Sequence, residues 1–407
     1  MSRVAIGLIL GLALAAAACA GTGAVAELAP GERPPAGSDE AGLWRQMDGA
    51  ERQMRTAAGV VRDRAINEYV RGIVCRLAGP HCEGVRVYIV RNPEFNASMA
   101  PNGMLQVWTG LLLRTANEAQ LAYVLGHEVA HYVRRHSLQQ MRDVQSKTAF
   151  LQVIGMVVGT AGGVAGGAGA VAAAPVQLGV QLATLGSAYA FSRDAEREAD
   201  EVGFELMLRA GYEPSEAPAA WQRLIAEREA SGKGRPTIFF ATHPPTEERV
   251  DRLRTLAGSA TATPGEARIG REDYLAQIGP LRSLLLRDEI HRREFAATEV
   301  LLRHLAADGV RLGEVHFFRG EMCRLRGGKD DLARAVDAYR AALEFDDAPA
   351  ETHRGLGIVL VRSGDRAAAR AAFVRYLEQR PGAEDREMIF ERNVRTVFPR
   401  FAVPAAV

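Results

Sequence analysis

His127 and His131 lie four residues apart with a glutamate between them, in the run His127-Glu128-Val129-Ala130-His131. On a helix that spacing brings both imidazoles to one face, where their nitrogens can share a metal ion. Glu128 can take a proton from a water held by such an ion and return it to a leaving amine. Zinc suits this chemistry, because it lowers the pKa of bound water to about 7 and polarises a carbonyl. One zinc ion per chain is therefore the expected cofactor. Two histidines still need a third protein ligand, the fourth place going to water or substrate. The acidic run Asp194-Ala195-Glu196-Arg197-Glu198-Ala199-Asp200 is the place to look for it. Glu196 and Asp200 are also four apart, so one can bind the metal while the other orients a ligating histidine. Taken alone, the same run reads as a solvated helix face. His136 falls outside the four-residue spacing and reads as part of a polar helix surface.

These side chains need rigid elements beneath them. Ile66, Tyr69, Val70, Ile73 and Val74 recur at helical spacing, which predicts a helix over 64–77 with one face on a core. Residues 85–90 and 104–109 read as strands, with turn signals at Asn92-Pro93 and Pro101-Asn102-Gly103 between them. A helix should begin near Thr115 or Asn117, because Glu118 and Gln120 follow three residues later in capping-box register. It is predicted to run through the motif to about His136. From Thr148 to Ser192 there is no charged residue and much Gly, Ala and Val. Three readings stand for 148–192: a buried helical hairpin, a lid with glycine hinges, and a hairpin that dips into a membrane.

The chain has 407 residues, 47% hydrophobic and 24% charged, enough to bury a core over two or three domains. A formal net charge of +1 supplies no field that would recruit nucleic acid. Arg3 followed by an apolar run to Ala18 has the layout of a signal peptide over 1–18. The run ends Ala16-Ala17-Ala18-Cys19, which resembles a bacterial lipoprotein box with Ala16 in place of the usual Leu. Cys19 is thus the expected lipidation site, and 19–41, rich in Ala, Gly, Pro and Glu, is expected to be a flexible tether. Three other cysteines remain. Cys75 and Cys82 can close a short disulfide loop in an oxidising compartment, or all three can stay as thiols.

A second linker is expected over 258–272, and 273–407 looks helical throughout. Tyr339 and Leu343 recur as Phe373 and Leu377, thirty-four residues on, and Leu356-Gly357, Gly364-Asp365, Ala368 and Pro381 fall in a tetratricopeptide arrangement. Gly327-Gly328-Lys329-Asp330 lengthens the turn in the first unit, and a helix over 293–305 can belong to a degenerate third. Such repeats stack into a concave surface that binds proteins or peptides.

Gly126 to His131, Ser192 to Asp200, and Thr242-His243-Pro244 followed by Arg249 together resemble the HtpX and CAAX prenyl protease-like gluzincin metallopeptidases. The resemblance covers roughly 43–256. It implies that Glu196 is the third zinc ligand and Asp200 its partner behind the metal. His243 fits a regulatory fourth ligand that can plug the zinc, and Arg249 fits stabilisation of the oxyanion. The expected fold is α+β and mainly α-helical: a zincin-type metallopeptidase domain over 42–257 with a small β-sheet, then an all-α tetratricopeptide-like solenoid. In layout the chain looks like the periplasmic beta-barrel assembly-enhancing proteases. That resemblance implies an exported endopeptidase, lipid-anchored to the outer membrane. Its substrates would be misfolded or stalled envelope proteins, and its repeats would engage outer-membrane assembly machinery. The stretch 97–108 would supply the edge strand on which an extended substrate is laid. The other function class is a non-proteolytic chaperone or scaffold with a plugged zinc site.

Overall fold

A three-stranded sheet and the helix that follows it form the frame of the N-terminal half. The computed structural model describes residues 25–143, 191–232, 239, 243–244, 246–260 and 267–391. The proposed signal peptide, the lipidation site Cys19 and all but the last two residues of 148–192 lie outside them.

Two helices precede the sheet, α1 (Asp39–Thr56) and α2 (Arg64–Ala78), the latter one residue longer than the periodicity predicts. Strands β1 (Arg86–Val90), β2 (Ala97–Met99) and β3 (Met104–Trp108) follow. The sheet order is β1-β3-β2, with β1 parallel and β2 antiparallel to β3. The central strand β3 is buried along its whole length, and β2 is left at an edge. The edge strand is therefore only 97–99, and the second half of the expected 97–108 edge is the sheet's centre.

After the short α3 (Thr109–Arg114) comes α4 (Glu118–Val133), which carries the histidine motif. Asn117 caps it by accepting from the Gln120 amide, and the Gln120 side chain accepts from Ala116, two amides satisfied at once. Every residue of α4 is buried, which is why its hydrophobic period is weak to the eye. The helix does not reach His136. It stops at Arg134, Arg135 takes a left-handed φ of 54°, and α5 (His136–Asp143) starts in a new direction.

The remaining described helices are α6 (Arg193–Arg209), α7 (Glu216–Ala230), α8 (Glu247–Ser259), α9 (Arg271–His291), α10 (Phe295–Ala307), α11 (Leu312–Arg326), α12 (Asp331–Ala342), α13 (Glu351–Ser363), α14 (Arg366–Gln379) and α15 (Arg386–Ile389). None of the described helices is long and apolar enough to cross a membrane. Consecutive helices α11 and α12 pack together, as do α13 and α14. The Tyr339 ring lies where α11 and α13 present Gly320 and Gly355, and the Phe373 ring lies against Gly357. A Cβ at any of these glycines would come within 2.7 Å of a ring atom, so small residues facing large ones set the helix spacing.

Two expected boundaries are corrected. The described part of the 19–41 tether is docked: the Leu28 side chain is buried in the core, its amide donates to the Val133 carbonyl, and α1 begins at Asp39. The described end of the 258–272 linker, from 267 on, is likewise packed against the domain before it. Arg268 pairs with Tyr212 in a β-bridge and Gly270 sits against Glu118. Tyr274 of α9 then donates to the Leu112 carbonyl at 2.5 Å. One hydrophobic core runs from α2 through the sheet to the C-terminal helices, and α9 packs against α3, which takes apolar surface of both out of water.

Candidate metal centre

Helices α4 and α6 cross at Gly126 and Gly203, so closely that a Cβ on Gly203 would lie 2.8 Å from the His127 backbone. That approach lets the first turns of α6, capped by the Ser192 hydroxyl on the Ala195 amide, aim Glu196 and Asp200 at the histidine face of α4. His127, His131, Glu196 and His243 offer ligand atoms that all lie within 4.8 Å of one another, and all four side chains are buried. His127 Nε2 and His131 Nε2 are 3.1 Å apart. Glu196 places Oε2 3.5 Å from the first and Oε1 3.4 Å from the second. Ligands held at 2.0–2.1 Å around a tetrahedral zinc are about 3.3–3.4 Å apart, so these spacings fit the ion. His243 Nδ1 closes the cluster at 2.8 Å from Glu196 Oε1 and 3.3 Å from His127 Nε2.

Two further observations favour a cation here. Glu128 Oε1 is a buried oxygen without a hydrogen-bond partner, and Glu196 Oε2 also lacks a hydrogen bond and has only the Arg249 guanidinium 3.2 Å away as a counter-charge, a shortfall that a cation in the cluster would relieve. His127 is pushed up to about 9: burial lowers its pKa, and the carboxylates of Asp200 and Glu196 more than reverse that. The field that favours a proton on His127 favours any cation between these groups. His131 is held well below its ordinary value by burial, against the pull of Glu196. A neutral imidazole is what a metal requires.

Asp200 is a hub behind the candidate ligand cluster. It lies 3.1 Å from His127 Nδ1 and accepts from the Tyr123 hydroxyl at 2.9 Å, from Arg249 through two nitrogens at 2.9 and 2.5 Å, and from Arg252 at 2.9 Å. Burial would raise its pKa, but Arg249 and His127 hold it well below the usual carboxylate range. The expected place of Arg249 beside the substrate oxyanion is corrected. Its guanidinium is buried, bonded twice to Asp200, 3.2 Å from Glu196 Oε2, and stacked 4.2 Å over the Trp221 ring. Its charge is spent on the two carboxylates.

Glu128 projects to the opposite side, toward the sheet. Its Oε2 accepts from the Met99 amide of edge strand β2 at 3.1 Å, and Oε1 lies 3.6 Å from His243 Nε2. Burial raises its pKa, opposed by His243 and His127, which moves the carboxylate toward the range of a useful base. Phe191 stacks on the His131 ring at 4.0 Å, and Phe239 lies 4.9 Å from His243.

One residue at this site was missed by spacing. His136 is buried, and its Nδ1 lies 2.8 Å from Nδ1 of His131. Only the backbone reversal at Arg135 brings it back, and an Arg-Arg pair carries no turn signal that a sequence reader could use. Elsewhere, Cys75 and Cys82 are joined in a disulfide with Cα atoms 4.7 Å apart, whereas Cys323 is a buried free thiol.

Residues 61–257 match the model of Peptidase family M48. The beta-barrel assembly-enhancing protease of Escherichia coli is 27% identical over 210 residues, 51% of this chain and 42% of the relative. That of Yersinia pestis is 28% identical over 232 residues, 55% and 45%. The mitochondrial metalloendopeptidase OMA1 of Schizosaccharomyces pombe is 33% identical over 167 residues, 41% and 45%. The chain thus spans less than half the length of these curated relatives. The matched region runs from just before α2 into the last turn of α8 and holds every candidate ligand atom of the cluster, and with that match residues 61–257 are a Peptidase family M48 domain.

Proposed function

We propose that this chain is a zinc-dependent endopeptidase of the bacterial envelope that cleaves misfolded or stalled envelope proteins. The observation that carries the proposal is the convergence of His127, His131 and Glu196 on one point, with Glu128 between that point and an edge strand. Zinc, when bound, supplies Lewis acidity to water and to the scissile carbonyl. The chain's own residues do the rest. Glu128 takes the proton from the attacking water and passes it to the departing amine. The edge of β2 at 97–99 pairs with an extended substrate and lays its backbone across Glu128. Asp200, fixed by Arg249, Arg252 and Tyr123, holds His127 in its ligating orientation. His243 stands where substrate must approach, so this arrangement is the closed one, and cleavage requires His243 to withdraw.

The remaining parts of the reading rest on sequence. Lipidation at Cys19 would tether the domain to the outer membrane. The α11–α12 and α13–α14 pairs, with Tyr339 and Phe373 in matching packing positions, support two tetratricopeptide-like units that recruit substrate or assembly machinery. The relatives' names, which speak of beta-barrel assembly and of metalloendopeptidases, favour this class over a non-proteolytic chaperone with a plugged site. The buried His243 is the one feature that favours the chaperone.

Glu128→Gln separates the two readings. Loss of a positioned base should cut casein cleavage by about 10²–10⁴-fold while metal content stays that of the wild type. A wild type that binds zinc yet cleaves neither casein nor an unfolded outer-membrane protein, even as His243→Ala, would leave the chaperone reading in its place.

A further inference from the structure

We infer that His136 is a positioning residue of the metal centre. Its Nδ1 accepts a hydrogen bond from the ligand His131 and so fixes that ligand's tautomer and ring plane. The inference rests on the metallopeptidase reading and extends it to a residue outside the ligand set. His131 directs Nε2 at the cluster, so its proton must sit on Nδ1 when Nε2 ligates. The atom that meets this N–H is Nδ1 of His136, at 2.8 Å. His136 must therefore offer a lone pair at Nδ1 and carry its own proton on Nε2. That proton has an acceptor as well: Nε2 lies 3.3 Å from Glu198 Oε2. The order His131, His136, Glu198 is thus a one-way hydrogen-bonded chain from the metal to the surface. The partner of His127, by contrast, is the carboxylate of Asp200.

The corner that aims His136 is itself tied down. Arg135, in the left-handed region at φ 54°, is held by Glu32, by Glu40 at 3.2 Å, and by the Ala26 carbonyl at 3.2 Å. Leu28 donates to the carbonyl of Val133, two residues before Arg135. Non-glycine residues enter this region at a cost that surrounding contacts must offset. The irregular segment 25–38 and the start of α1 supply those contacts, and their result is the 2.8 Å approach of two buried imidazoles.

The test is zinc affinity of the full chain by chelator competition, with the melting temperature of the stripped protein as a fold control. His136→Phe keeps a ring of similar size but offers no acceptor, and should weaken zinc binding by about 10–100-fold. His136→Asn puts an oxygen near the Nδ1 position and should restore most of that loss. Glu198→Ala, at a side chain 43% exposed, leaves the fold intact and should give a smaller loss of about tenfold or less. It serves where His136→Phe does not fold. The inference is overturned if His136→Phe binds zinc like the wild type, if Phe and Asn weaken it equally, or if Glu198→Ala changes nothing. A wild type that binds no zinc would instead sink the metallopeptidase reading itself.

Discussion

The two ends of α4 bury acidic groups in opposite ways. At its start, Glu118 is fully enclosed and every lone pair is answered. Oε1 accepts from Arg76 at 2.6 Å and Tyr212 at 2.7 Å and lies 2.9 Å from Arg268 Nε in an ion pair, and Oε2 accepts from Tyr69 at 2.6 Å and Arg268 at 3.1 Å. Toward its end, Glu196 and Glu128 each keep a buried oxygen without a hydrogen bond, among imidazole nitrogens that face one another. The first cluster is complete as protein. The second, even with Arg249 3.2 Å from Glu196 Oε2, leaves hydrogen-bonding capacity that a cation would take up, and that difference separates a structural ion network from a candidate binding site.

Changes at each end should therefore fail differently. Asp200→Ala is expected to have the largest effect: it strands Arg249 and Arg252 and releases His127, costing about 3–5 kcal/mol in urea unfolding together with zinc. A stable, zinc-replete Asp200→Ala protein would contradict the account of the hub. Gly203→Val drives α6 away from His127, since even a Cβ there meets backbone at 2.8 Å. It should cost about 1–3 kcal/mol and lower zinc affinity, because the ligands stand on both helices. Glu118→Gln should cost only about 1–2 kcal/mol, since Arg76 and Arg268 are near half-exposed and can be hydrated. Zinc affinity and cleavage per folded molecule should not change, and a loss of either would erase the contrast between the two ends.

The smallest effect is on pH dependence. Burial would raise the pKa of Glu118, but Tyr69, Tyr212, Arg268 and Arg76 hold it below the ordinary carboxylate value. A depressed folded-state pKa contributes stability that is present above about pH 4.5 and is lost as pH falls through the folded value. Metal-stripped wild type should thus lose stability faster than Glu118→Gln between about pH 5 and pH 3, as read from denaturant midpoints. Parallel curves would mean that Glu118 gains nothing from its partners.

How much of this was legible in the sequence follows from range. The Asn117 cap and the face shared by His127 and His131 are set within a turn or two of helix, and both were read from spacing. So was the pairing of Glu196 with Asp200, although which of the two faces the metal came only from resemblance, since the helix alone treats them alike. Arg249 looked like a free cation because its partners, Asp200 and Trp221, are contributed by other helices. His136 was hidden by the reversal at Arg135, which depends on Glu32 and Glu40 about a hundred residues earlier. The described parts of the tether and the linker differ from their expected looseness for a related reason. Low periodicity marks a lack of regular structure, but Leu28 and Gly270 show that irregular chain can still be packed on a core.

The central claim is that His127, His131 and Glu196 form one zinc site which Glu128 serves without holding the metal. Elemental analysis of purified wild type, Glu128→Gln and Glu196→Ala tests it most directly. The account predicts about one zinc per chain in the first two and little in the third. Zinc retained in full by Glu196→Ala, or absent from the wild type, would contradict it.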